Sequence, residues 1–147
     1  MRPLFTLAAL AVLIAPAIGQ TDAATDAALD LEMGDHVPFR AAFEAIQAAV
    51  AAGDAVALAE YIPFGEAINV DGQPRVFSDA AAFAAAYGDI FTPDIVEAVL
   101  TQSYATLFVN SEGVMFGNGE VWLGGLCTDV ACNSFEVKIL TVQSTTE

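Results

Sequence analysis

The chain is poor in the residues that most catalytic and metal sites require. Its 147 residues include one histidine and two cysteines. A structural zinc site takes about four nitrogen or sulfur ligands, which this set does not supply. The phosphate-binding loop, the serine nucleophile elbow and the calcium loop are also missing from the sequence. We therefore predict no metal, no cofactor and no metal-dependent activity.

Positive charge is equally scarce. Four basic residues stand against 19 acidic ones, and the formal net charge is −15 at pH 7. A surface of this sign repels nucleic-acid phosphates and anionic lipids, which excludes nucleic acid as a partner. The simplest interpretation of the charge is solubility in a salty environment, and any small ligand is expected to be neutral or cationic.

The sequence contains only one long apolar run, and it lies at the N-terminus. A short positive start at 1–3 precedes the run Leu4–Ile14, and small residues including Ala17 and Gly19 follow. This order is typical of a signal peptide, and the run is shorter than the about 20 residues of a membrane-spanning helix. We predict a signal peptide over 1–19 with cleavage after Gly19, or alternatively after Ala17, so that the mature chain begins at Gln20.

Export has consequences for charge, location and redox state. Cleavage removes Arg2 and no acidic residue, so the net charge changes from −15 to −16. No cysteine follows the apolar run to carry a lipid, and without a second run we expect no membrane insertion after cleavage. The predicted location is the periplasm or the medium, where the isolated pair Cys127 and Cys132 is expected to form a structural disulfide. Its spacing is wider than that of a redox-active Cys-x-x-Cys pair.

After an acidic first segment, the N-terminal half of the mature chain is predicted to be mainly helical. Residues 20–35 carry acids among alanines and threonines with little to bury, and we predict a flexible acidic leader there. A single domain is then expected over 36–147. Its first helix begins near Pro38 and ends at Gly53, because Phe39, Phe43, Ile46 and Val50 share one helix face.

Strand patterns dominate the rest of the chain. Asp71-Gly72 predicts a hairpin turn, and further helices are expected at 80–87 and from Pro93. Strands are predicted at 104–110, 114–124 and 135–142, with a bend or bulge at Gly117 and Gly119 in the long middle strand. The fold class is α+β, with N-terminal helices packed on a strongly curved antiparallel sheet.

This order of elements resembles the NTF2-like fold, a cone of curved sheet closed by the first helices. Three segments and the cysteine pair resemble a group of small exported bacterial NTF2-like proteins of uncharacterised function; the segments are Tyr87–Pro93, Leu107–Asn110 and Gly113–Trp122. The resemblance implies fold and compartment more than activity, since such folds include isomerases, dehydratases and binding modules.

The candidate site follows from alternation in the long strand. Asn118, Glu120 and Trp122 would share one face and line a cavity, where an indole beside Glu120 would raise the pKa of the carboxyl. Tyr104 has the opposite parity, but a bulge would bring it to Glu120. The competing interpretation has Glu120 in solvent and Trp122 in the core or at its rim. His36 is expected to be a solvated residue near the leader.

These features favour a non-enzymatic domain that binds a small ligand or a partner protein, with a homodimer as one option. The alternative is an acid/base enzyme, similar to isomerases or dehydratases, that uses Glu120.

Overall fold

The chain forms five α-helices and a six-stranded sheet in the computed structural model, which describes residues 19–145. The helices are α1 (Asp22–Met33), α2 (His36–Ala52), α3 (Ala55–Ala59), α4 (Ala80–Ile90) and α5 (Pro93–Thr101), and a 3-10 helix follows at Tyr104–Thr106. The strands are β1 (Ala67–Val70), β2 (Gln73–Val76), β3 (Phe108–Asn110), β4 (Gly113–Phe116), β5 (Val121–Cys127) and β6 (Phe135–Val142). The predicted signal peptide, Gly19 apart, lies outside the described residues.

The sheet has the strand order β2-β1-β6-β5-β4-β3. Neighbouring strands are antiparallel except β1 and β6, which pair in parallel. The predicted α+β class is confirmed, while the sheet is mixed instead of purely antiparallel. No helix among residues 19–145 is long and apolar enough to span a membrane.

Helix α2 forms where the spacing of apolar residues predicts it. Its buried face includes Phe39, Phe43, Ile46 and Val50, none more than 5% exposed. The Asp35 carboxylate accepts the Val37 N–H at 2.9 Å and caps the first turn. Gly53, in the left-handed region at φ 63°, ends the helix.

The predicted leader is helical, which differs from the expectation of a flexible segment with little to bury. Thr21 caps α1, and Leu29 on its inner side is fully buried. The Thr25 hydroxyl donates to the Tyr104 carbonyl at 3.0 Å. Composition alone underestimated α1, because a few residues, Leu29 and Thr25 among them, make its contacts with the rest of the domain.

The predicted turn connects the two strands of the first hairpin, β1 and β2. Asp71 and Gly72 have positive φ values of 49° and 78°, as a two-residue turn of the favoured twist requires. Ile68 and Val70 face the core, whereas Phe64 precedes β1 and is 42% exposed.

The long strand predicted at 114–124 is instead a hairpin. The chain reverses at residues 117–120, between β4 and β5. Gly117 and Gly119 have φ values of 62° and 113°, which side chains rarely adopt, so the glycines build a turn and not a bend within one strand. The strand predicted at 104–110 is likewise shorter, because Tyr104 lies in the 3-10 helix and β3 begins at Phe108.

The loop between β5 and β6 is held by the two cysteines. Cys127 and Cys132 lie at disulfide distance, with their Cα atoms 4.8 Å apart. Inside the loop the Asp129 carboxylate accepts the N–H groups of Ala131 at 2.9 Å and Ser134 at 3.1 Å. The loop is therefore ordered by covalent and hydrogen-bond constraints together.

Candidate functional site

The inner face of the sheet, on which the helices pack, is filled by side chains. Phe43 stands between Phe116 and Tyr104, with ring centroids 5.2 and 5.4 Å away. Phe83 is fully buried, and its ring centroid lies 5.4 Å from that of Phe77. These aromatic rings belong to the buried core of the described residues.

Glu120 is buried, with 6% of the residue exposed, but it lies in the turn between β4 and β5. Its Oε2 accepts the Asn118 N–H at 2.6 Å, and its Oε1 accepts the Thr145 hydroxyl. Its carbonyl accepts the Gln143 N–H at 2.8 Å. The carboxylate thus closes its own turn and holds the segment after β6, while Asn118 is exposed at the tip of the turn.

Tyr104 contacts residues of both α1 and α2. Its hydroxyl donates to the Asp26 carboxylate at 2.7 Å, and the Arg40 guanidinium lies 4.5 Å above its ring. Arg40 also pairs with Asp22 at 2.8 Å. Burial and the Asp26 carboxylate raise the pKa of Tyr104 well above its usual range. The structure thus gives Tyr104 and Glu120 separate sets of partners instead of one shared site.

Trp122 lies on the outer face of the sheet. The inward residues of β5, Val121 and Leu123, are buried, and Trp122 between them points the other way and is partly exposed. Strand register places a row of residues across this face, each paired with the next: Asn69, Thr141, Trp122, Met115 and Phe108. Five strands therefore contribute to one surface that the sequence order does not reveal.

A shallow groove of about 330 Å³ runs over this surface. It is lined by Asn69, Glu112, Trp122, Leu140, Thr141 and Gln143. Phe108 stands at the other side of the indole, with the ring centroids 6.2 Å apart and the planes at 78°. The lining thus combines one aromatic residue, one aliphatic residue, two amide-bearing residues, one hydroxyl-bearing residue and one acidic residue.

Leu140 forms the aliphatic wall because its side chain lies over a glycine of β5. A Cβ at Gly124 would overlap the Leu140 side chain and would lie 3.3 Å from its Cγ, so the absent side chain lets Leu140 lie across the strand. The pairing of β5 with β6 is irregular between Trp122 and Leu123, and Leu140 is the residue of β6 left unpaired there. The pair Gly124-Gly125 was the one sequence signal for this close approach.

One group in the described range has the spacing of metal ligands. Donor atoms of Asp30, Asp35 and His36 all lie within 4.8 Å of one another. Each already has a structural partner: His36 Nδ1 bonds Asp30 at 2.8 Å, and Asp35 caps α2. The hydrogen bond with Asp30 raises the pKa of His36. His36 is therefore paired, where the sequence predicted a solvated side chain.

Of the four predicted ligand-binding residues, the groove contains Trp122 alone. Asn69, Glu112, Leu140, Thr141 and Gln143 were missed, because they come from separate elements that only strand pairing brings together. No protein-family profile, curated protein or solved structure matches this chain.

Proposed function

We propose that this protein is an exported NTF2-like binding domain, without a catalytic centre, and that its ligand lies in the groove beside Trp122. The observation that carries the proposal is the placement of the single tryptophan on the uncovered face of the sheet, among polar groups and an aliphatic wall. An aromatic surface with a few convergent polar groups is typical of small-molecule sites. The ligand class is the one that the charge favours, a small neutral or cationic molecule.

Export is supported by two independent features. The N-terminal sequence has the order of a signal peptide, and the cysteine pair lies at disulfide distance. Disulfides persist mainly in oxidising compartments, so both features favour the periplasm or the medium.

The enzyme alternative depends on Glu120, and its placement gives that alternative no support. A general acid or base must reach the substrate proton within hydrogen-bond distance. Both carboxylate oxygens of Glu120 already accept hydrogen bonds, from Asn118 and Thr145. The groove is lined by a different acidic residue, Glu112, with no second acid/base residue among its lining residues.

The single tryptophan makes the proposal directly testable. Soluble neutral and cationic fragments would be screened against the mature protein by backbone-amide chemical shifts and by Trp122 fluorescence. We expect hits to shift the amides of Asn69, Trp122 and Thr141, and to lose affinity in Trp122→Ala but not in Phe64→Ala, which removes an exposed aromatic ring outside the groove.

Three results would contradict this proposal. They are the absence of any hit, hits that shift amides elsewhere, and hits whose affinity Trp122→Ala leaves unchanged.

A partner protein or a homodimer on the same face is distinguished from a small ligand by light scattering, together with quenching of Trp122 by the neutral quencher acrylamide. Concentration-dependent association that shields the indole would assign the face to another chain instead of a small ligand.

A further inference from the structure

The charges around the groove point to one kind of ligand. We infer that the groove selects a methylated ammonium group over neutral and anionic groups of the same shape. This inference rests on the proposed function, since it assigns the chemistry of the ligand to the same groove.

The first support is the indole itself. Tryptophan is the side chain whose ring face attracts a cation most strongly, through the negative charge density of its π system. Trp122 is only partly buried, and Phe108 beside it is 49% exposed. The indole is therefore accessible to solvent, and the Phe108 ring beside it is 6.2 Å away at 78°.

The second support is Glu112, an exposed acidic residue that lines the groove together with Trp122. The cationic groups of the described chain are engaged elsewhere. Arg40 and Lys138 pair with other acids, and Arg75 lies 5.1 Å from the Phe77 ring centroid. Among residues 19–145 no ion pair includes Glu112, so no described cation neutralises its charge.

The polar lining does not offset this bias toward cations. The Gln143 side-chain amide donates a hydrogen bond to the Gly119 carbonyl at 3.0 Å, and is therefore engaged within the protein. The net charge of −16 after cleavage adds a long-range potential of the same sign.

A methylated ammonium fits better than a primary one. A primary ammonium is a compact and strongly hydrated charge, and a shallow groove offers few acceptors to replace its water. Methyl groups reduce that hydration and make contact with the Leu140 side chain and the indole ring. A methylated ammonium therefore makes both the electrostatic and the apolar contacts.

Three small molecules of the same shape but different charge separate the effect of ligand charge on affinity from that of ligand shape. Choline, its neutral isostere 3,3-dimethylbutan-1-ol and the anion 3,3-dimethylbutanoate would each be titrated into the mature protein, with backbone-amide shifts and Trp122 fluorescence as readouts. We expect choline to bind about fivefold more tightly than the neutral isostere, which is the effect of a partly exposed cation–π contact. The anion should bind more weakly than either.

Matched variants locate the charge effect. Glu112→Gln should reduce choline affinity about threefold to fivefold and leave the neutral isostere unchanged. Glu97→Gln changes the net charge equally, but from an exposed position on α5, and should have a smaller effect. Trp122→Leu, followed by calorimetry, should remove the preference for choline while keeping apolar contact.

Equal binding of choline and its isostere would overturn the inference and leave the proposed groove in place. Absence of choline binding also overturns it, and the proposed function then stands only if the fragment screen yields hits at the same residues. Equal effects of Glu112→Gln and Glu97→Gln would mean that the preference for a cation comes from the net charge of the protein. That result would contradict the assignment of the preference to Glu112.

Discussion

Replacing Leu29 by alanine tests whether α1 is an integral part of the domain. Leu29 is fully buried, and α1 packs on α2 and β3. The substitution removes the equivalent of about three methylene groups, or about 2.4 kcal/mol of transfer free energy. The unfilled cavity raises the expected loss in the free energy of unfolding to about 3–4 kcal/mol.

The matched control lies two residues away on the same helix. Leu31 is 82% exposed, so Leu31→Ala keeps helix propensity and composition comparable and should change stability by less than about 0.5 kcal/mol. Urea denaturation of both variants of the mature chain, followed by circular dichroism, gives the two free energies.

Hydrogen exchange distinguishes global from local effects. If Leu29→Ala only undocks α1, amide protection falls in that helix alone, and the loss of stability is limited to the docking free energy of α1. Equal stabilities of the two variants, together with unprotected α1 amides in the parent protein, would refute the docked helix and restore the flexible leader.

Three further outcomes follow from the hydrogen bonds and the cysteine pair. Glu120→Ala should lower the free energy of unfolding by about 1–3 kcal/mol, because it removes the buried carboxylate that accepts the Asn118 N–H in a partly buried turn. Unchanged urea midpoints would count against that function of the carboxylate. Replacing both Cys127 and Cys132 by alanine should remove about 2 kcal/mol, measured by urea denaturation, and two free thiols in denatured exported protein would disprove the disulfide. In an NMR titration the pKa of His36 should lie above 6.5 and return toward that value in Asp30→Asn. Stability from this pair is complete below pH 6.5 and is lost as the pH rises through the raised pKa, so a normal pKa in the parent protein would contradict the pairing.

Local signals in the sequence predicted much of the fold. The apolar spacing of α2, its C-terminal end at Gly53 and the Asp71-Gly72 turn depend on neighbours within about one helical turn or one hairpin, and each is found where it was expected. Propensity and turn geometry act over short separations, so no knowledge of the rest of the chain is needed. Fold class followed from the order of these elements.

Other features depended on residues distant in sequence. The alanine-rich segment 20–35 shows almost no apolar pattern, and α1 is seated by Leu29 and by the contacts of Asp26 with Tyr104 and Arg40, which no local rule predicts. Similarly, Gly117 and Gly119 were compatible with a bend or a turn. The turn was decided by the pairing of β4 with β5, because it lets both strands bury one face and pair their backbones.

The candidate site depends almost entirely on residues that are distant in sequence. From the sequence alone came the acidity of the chain, the signal-peptide pattern, the cysteine pair and the single tryptophan that a ligand would contact. Tertiary structure decided which acidic residue lines the groove with that tryptophan: Glu112 does, while the Glu120 carboxylate accepts a hydrogen bond inside its own turn. The reason is register, since strand pairing brings β1, β5 and β6 together with the β3–β4 turn across up to 74 residues of chain separating Asn69 from Gln143.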